Sequence, residues 1–303
     1  MASTGGPAAV QVPGAVRFEP GMMRRKLSGT LFYGACVLAV GFLLLALGML
    51  LFDVLARGLP WLDADFIAGV PSRRPANAGI LPALVGSLEV GIIVGLITFP
   101  VGVAAAIYLT EYASDSRINR LLQANISNLA GVPSIIYGIL GLALFVRLLG
   151  LGSTVLAAGL TLTLLILPVV IIASIEAFKA VPNAQREGAY ALGATRWQMV
   201  RGSVFPAAAP GIMTGIILAM ARAIGEAAPL ILIGAFAFIT FLPNPISGGY
   251  TVLPIQIYDW ARRPQDDFAG ISAAAIIVIM VLILVLNALA LVVRARLSRH
   301  IQW

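Results

Sequence analysis

The sequence predicts an all-α integral membrane protein with about six transmembrane helices and both termini in the cytoplasm. Three observations carry that prediction. The composition is too apolar for water, the apolar residues fall in runs long enough to cross a bilayer, and basic residues gather on alternate sides of those runs.

Composition comes first. Of 303 residues, 60% are apolar and 11% charged, with a mean hydropathy of +0.97. A soluble domain carries about 25% charged residues. This chain lacks the polar side chains to clothe a water-facing surface, which excludes a soluble enzyme or binding module. The net charge of +7 comes from 18 Arg and 2 Lys. These residues flank apolar runs, the pattern of membrane-facing loops rather than of a nucleic-acid surface. There is one cysteine, Cys36, and one histidine, His300 in the tail. An intrachain disulfide, a Cys metal cluster and His-based chemistry are thereby excluded.

A bilayer core of about 30 Å takes about 20 apolar helical residues. The runs that meet this cover residues 31–52, 79–110, 126–149, 153–175, 210–238 and 271–293. They define a transmembrane domain over 29–297, preceded by a cytoplasmic tail (1–28) and followed by a short one (298–303). The Ala-, Gly- and Pro-rich start of the first tail is expected to be disordered. The first run exceeds the about 7–15 apolar residues of a signal core, so it is read as an anchor.

Charge sets the direction. Arg17, Arg24, Arg25 and Lys26 precede the first run; Lys179, Arg186, Arg196 and Arg201 lie in the 176–206 loop; Arg294, Arg296 and Arg299 follow the last run. Segments 53–78 and 239–270 mix Asp with Arg. The positive-inside rule therefore places both termini and the 176–206 loop in the cytoplasm. The loop holding Glu111, Asp115, Arg117 and Arg120 is neutral and does not discriminate.

Within the fifth run, Gly211, Gly215 and Ala219 recur at four-residue spacing, which lets helices approach closely. Arg222 and Glu226 stand apart from this packing pattern. Arg222 lies about 18 Å up a helix counted from Pro210, near mid-membrane, where an Arg costs about 2.5–3.5 kcal/mol. Glu226 follows one turn on along the same face. Pro229 blocks a backbone bond near Gly225 and predicts a local break. Two readings stay open. The residues form a buried ion pair that fixes register, or Arg222 faces a water-filled path and attracts an oxyanion that suits its guanidinium fork. Glu89, in the second run, is expected to be satisfied by neighbouring helices. Thr161 and Thr163 are expected to bond to their own helix backbone.

The 176–206 loop reads as two short helices around a glycine. Pro182 opens the first, Gly193 ends it in the left-handed conformation, and Thr195 with Gln198 restarts a helix through a capping box. Trp197, Met199 and Val200 make the second piece partly apolar. Such a helix on the cytoplasmic side calls for a partner groove or a lipid surface.

These residues carry a family resemblance. Glu187-Gly188-Ala189, Gly193 six positions after Glu187, and Pro206 keep the spacing of the EAA loop of ABC import permeases, whereas Gly188, Ser203 and Phe205 depart from its usual residues. The stretch from Ala106 to Tyr112, Val132-Pro133-Ser134-Ile135, Arg186 to Gly193, and Gly211 to Pro229 with its Arg-x-x-Gly-Glu core resemble the phosphate-specific ABC permeases, nearest their A-type (PstA) subunit. The likeness runs over about residues 79–294. It implies a type I ABC importer permease fold in the plasma membrane. It implies a loop (Arg186, Glu187, Gly188, Ala189, Gly193, Pro206) that docks on an ATPase, and a substrate path through Arg222 and Glu226. It also implies four partners: a second homologous permease, two ATPase subunits that bind ATP and Mg, and an extracytoplasmic phosphate-binding protein.

The chain has no G-x-x-x-x-G-K-[ST] sequence, so it is not itself a P-loop ATPase and is expected to hold no cofactor. A permease for sulfate or molybdate is the alternative within the class. An ion-coupled secondary transporter would call for inverted repeats, which are not evident between the halves. An anion channel is the third alternative, and ATP-dependent uptake would argue against it.

Overall fold

The computed structural model describes residues 22–114, 116–236 and 238–298. The expectations for the first part of the amino-terminal tail, Arg299 and His300 lie outside them. All regular structure among the described residues is helical. The chain divides into two units, Met1–Phe52 and Asp53–Trp303. The first is formed by α1 (Met22–Gly58), whose last residues belong to the second. None of α1's most apolar window is buried. An apolar helical stretch of that length with no buried residue is built for lipid.

The second unit holds eleven further α-helices among the described residues. Asp63 caps α2 (Ala64–Ala68), its carboxylate accepting from the Phe66 N–H at 2.7 Å. α3 (Leu81–Ile107) begins with Pro82 in its first turn and runs on through a π turn, Tyr108–Tyr112. α4 (Arg117–Ala130) is capped by Ser116, and α5 (Ser134–Gly141) continues through a π turn, Leu142–Leu148. α6 (Val155–Lys179) is capped by Thr154. Then come α7 (Asn183–Ala191) and α8 (Arg196–Met199), a π turn Val200–Val204, and α9 (Phe205–Ile224). α10 (Ala228–Ile233), α11 (Leu253–Ala261) and α12 (Asp266–Ser298) complete the unit.

Among the described residues, five helices are long and apolar enough to span a bilayer, and six if one bent pair counts as a single span. That pair corrects the third run. Residues 126–149 do not form one helix; α4 and α5 meet at 99°. Pro133 supplies the reason, because its ring pushes the preceding residue out of the helical region. Gly131 and Val132 form the corner, and Ser134 restarts the helix. The fifth run is corrected at both ends. Helix is continuous from Arg196 to Ile224, so α8 of the loop is the root of the span itself. At the other end the helix stops well before Phe238, and α10 closes on Gly234 in the left-handed region (φ 93°).

α6 is the centre of this unit: 67% of its apolar window is buried, against 33% for α3 and 11% for α12. Small residues bring its neighbours close. A Cβ on Gly102 of α3 would lie 2.8 Å from Val170 Cγ1, and one on Gly211 of α9 would lie 2.9 Å from the Ala177 Cβ. Gly215 stands even closer to Ala173. The four-residue spacing on α9 is thus the seam against α6. Thr161 and Thr163 donate to Ala157 O and Gly159 O of their own helix, each at 2.8 Å. Gly215→Val should overpack the seam by about 1–3 kcal/mol. The purified protein should then unfold at a lower temperature in detergent; an unchanged melting curve would contradict this packing.

Candidate functional site

α9 carries the first group of site residues. It buries Ile212, Ala219 and Ala223, and leaves a stripe of Leu218, Arg222 and Gly225 exposed. Its depth can be read from α3. Gly91 of α3 lies against Ile224 and Gly95 against Met220, so the two helices run antiparallel and Arg222 is level with residues 91–95. That stretch is about 15–21 Å from the start of α3 at 1.5 Å per residue. Arg222 is therefore deep within the span by a ruler independent of α9.

The ion pair is not formed. Neither Arg222 nor the half-buried Glu226 makes a side-chain hydrogen bond or salt bridge to any described residue. Between them the helix stops at Ile224, and α10 restarts with Pro229 in its first turn. The break is held in place by other elements. A Cβ on Gly138 of α5 would lie 2.7 Å from the Pro229 Cα. The Ser153 hydroxyl donates to Ile233 O at 2.8 Å, and the buried Tyr250 hydroxyl donates to Leu230 O at 3.4 Å. Burial pushes the Tyr250 phenol above its ordinary range, so it stays a neutral donor. Irregular backbone at this depth is tolerated where it is packed in protein or lines a cavity.

Glu89 is two residues outward of the Gly91–Ile224 contact, level with the break. One of its carboxylate oxygens is buried and has no partner among the described residues. The expectation that neighbouring helices satisfy Glu89 is not met for that oxygen.

The second group is the 176–206 segment. Gly193 takes a φ of 79° and turns the chain between α7 and α8. Thr195 Oγ1 accepts from the Gln198 N–H at 3.4 Å, and Gln198 Oε1 accepts from the Thr195 N–H at 2.8 Å. Met199 and Val200 are buried in a cluster with Leu109 of the π turn after α3 and Ile175 and Phe178 of α6. The exposed apolar face is made instead by Tyr190, Leu192 (90% exposed) and Trp197. Of these, sequence reading singled out only Trp197. Glu187 and Gly188 are exposed, Ala189 packs against the cluster, and Pro206 lies in the first turn of α9.

Arg186 points inward. Its Nε donates to Glu111 Oε2 at 3.2 Å and its Nη2 to Glu111 Oε1 at 2.8 Å. Nη1 donates to Val181 O and Nη2 to Phe178 O, both at 2.8 Å. The Arg186 side chain is 18% exposed and that of Glu111 5%. Arg196, the first residue of α8, lies over the Tyr112 ring at 5.6 Å and reaches Tyr112 O at 3.5 Å. In the sequence Glu111 is one charge of a neutral loop and one residue of the Ala106–Tyr112 stretch. Its partner stands 75 residues away, and no local pattern announces such a contact.

Comparison with known proteins fits this arrangement. Residues 98–299 match the family described as binding-protein-dependent transport system inner membrane component. The chain is 42% identical over 163 residues to the probable ABC transporter permease protein YqgH of Bacillus subtilis (strain 168), a match that spans about half of each protein (52%). It is 33% identical over 276 residues to the phosphate transport system permease protein PstA 1 of Mycobacterium tuberculosis (strain ATCC 25618 / H37Rv), with 87% of each chain covered. In fold it is similar to a chain of a bacterial ABC transporter involved in the import of the acidic polysaccharide alginate. That likeness has a TM-score of 0.61 at 15% identity and covers 91% of this chain and 98% of the other. The chain belongs to the family of binding-protein-dependent transport system inner membrane components, with the type I fold of ABC importer permeases, and within that family to the PstA-type permeases.

Proposed function

We propose that the chain is the transmembrane permease subunit of an ATP-driven inorganic phosphate importer, and that it forms one half of the translocation path opposite a second, homologous permease. The observation that carries this reading is the exposed, unpaired Arg222 at depth in the span. An unpaired guanidinium facing lipid costs about 2.5–3.5 kcal/mol even on the lenient scale. One facing a water-filled path between two subunits escapes most of that cost and attracts anions. The phosphate specificity named for the mycobacterial relative supports phosphate as the anion.

The chemistry follows from the residues. A guanidinium offers five donors in a planar fork that matches phosphate oxygens bidentately. A single such group in an otherwise apolar stripe guides the anion without supplying a closed, high-affinity cage. Glu226, one turn outward, opposes tight retention by like-charge repulsion. The termini and the 176–206 segment face the cytoplasm, as the positive-inside rule requires. There Tyr190, Leu192 and Trp197, with exposed Glu187 and Gly188, form an apolar knob for a groove on one of two ATPase subunits. Those subunits bind ATP and Mg, and this chain takes no cofactor. An extracytoplasmic phosphate-binding protein presents the anion to the outer mouth.

The substrate is tested by competition. Uptake of labelled phosphate by the reconstituted complex should persist in an excess of sulfate or molybdate and fall with unlabelled phosphate. Equal suppression by sulfate or molybdate would reassign the permease to another oxyanion.

A further inference from the structure

We propose that Glu111 is a positioning residue for transport. With Tyr112 it fastens both halves of the coupling segment to the inner end of α3, so that motion of the segment reaches the level of Arg222 through α3 as well as through α9. The inference rests on the importer reading and adds to it a route that covalent connectivity does not provide. By chain connectivity the segment joins only α6, before α7, and α9, after α8.

The geometry supports a rivet. The Arg186 guanidinium of α7 makes four short bonds, two to Glu111 and two to the carbonyls of Phe178 and Val181 at the end of α6. One side chain thus joins α7, α6 and α3. A bidentate Arg–carboxylate contact fixes orientation as well as distance. On the other side of Gly193, the Arg196 side chain of α8 grips the neighbouring Tyr112 through its ring and its carbonyl. Both arms of the segment therefore converge on two adjacent residues of a π turn. Beneath them, Leu109, Phe178, Met199 and Val200 pack in one buried cluster. Interiors packed in this way move as units rather than deforming continuously. Further along α3, Gly91 and Gly95 contact Ile224 and Met220, the residues that flank Arg222 on α9. A pull on Glu111 is accordingly delivered beside Arg222.

A purely architectural role would leave the coupling of hydrolysis to transport unaltered once the complex has assembled. The test is therefore the phosphate moved per ATP hydrolysed, in liposomes holding this chain with its partner permease, both ATPases and the binding protein. Wild type is measured first; absence of phosphate uptake there would sink the importer reading, independently of Glu111. Glu111→Gln keeps the shape and removes the charge. It should hydrolyse ATP while the phosphate-to-ATP ratio falls about tenfold, within the usual range of coupling between sites. Glu111→Asp, which keeps the charge, should recover part of that ratio. An unchanged ratio in an assembled Glu111→Gln complex overturns the proposal.

Should Glu111→Gln fail to assemble, spin labels on otherwise native protein decide. With Cys36→Ser as background, Ser114→Cys and Ala184→Cys place labels on exposed positions beside the rivet. Their separation should stay within about 2 Å between nucleotide-free and ATP-trapped states, whereas a change above about 5 Å, a full helical turn, means that the rivet opens and the proposal is wrong.

Discussion

Replacing Arg222 by Ala is expected to lower phosphate uptake by about thirtyfold or more, the cost of removing one partner of a hydrogen-bonded charge pair, with the complex still assembled. The structure gives the second half of that expectation its force. Arg222 makes no hydrogen bond or ion pair to a described residue, so its removal deletes none of these. Facing a water-filled path, it carries little of the about 2.5–3.5 kcal/mol that an Arg costs in lipid, so its removal should not lower stability. The variant should therefore be at least as stable as wild type in a thermal-shift measurement while failing in transport. Arg222→Lys should fall between the two, because it restores the charge without the fork. Full uptake by Arg222→Ala would remove the residue from the path. Loss of uptake together with loss of the assembled complex would assign it a structural role at the subunit contact.

The second large effect is expected on the cytoplasmic side. Leu192 is 90% exposed and Trp197 57% exposed, so neither supports the fold of the subunit. Leu192→Asp combined with Trp197→Ala should leave the permease folded, with an unchanged melting temperature. ATPase recovered with the purified permease should fall about tenfold or more, as when two central apolar anchors of an interface are lost. Uptake should fall with it. Normal ATPase recovery would mean that the knob lies against lipid headgroups, the alternative home for an apolar cytoplasmic helix.

Much of the fold could be read from the sequence because the bilayer imposes a length and a polarity on each span. Gly193 and the Thr195–Gln198 box were legible because caps and left-handed turns depend on residues within one turn of each other. The Gly211–Gly215 seam was legible because close helix packing needs small residues at a fixed spacing. Hydropathy misjudged the third and fifth runs for opposite reasons. In the third, Pro133 turns the backbone inside an apolar stretch, and counting apolar residues is blind to that angle. In the fifth, Arg201 and Ser203 interrupt the apolarity although the helix runs on without a break from Arg196.

The candidate site divides in the same way. Arg222 stood out because a charge in an apolar run needs an explanation. That it lies on an open stripe, unpaired with Glu226, depends on how α9 rotates against α3 and α6, which its own sequence does not encode. Met199 and Val200 read as exposed apolar residues and are buried, while Leu192 is bare. Met199 and Val200 turn onto Leu109, Ile175 and Phe178, partners that are distant in sequence. Glu111 was invisible as a functional residue because Arg186 is brought to it only by the folding of α3, α6 and α7 together.

The most direct test of the account is ATP-dependent uptake of labelled phosphate. Liposomes would contain this chain with its homologous permease and the two ATPase subunits, with the phosphate-binding protein supplied on the receptor side. Accumulation of phosphate should require ATP, the binding protein and this chain together, and Arg222→Ala should lower it about thirtyfold or more. Accumulation that proceeds without ATP, or that is unaffected when this chain is left out, would contradict it.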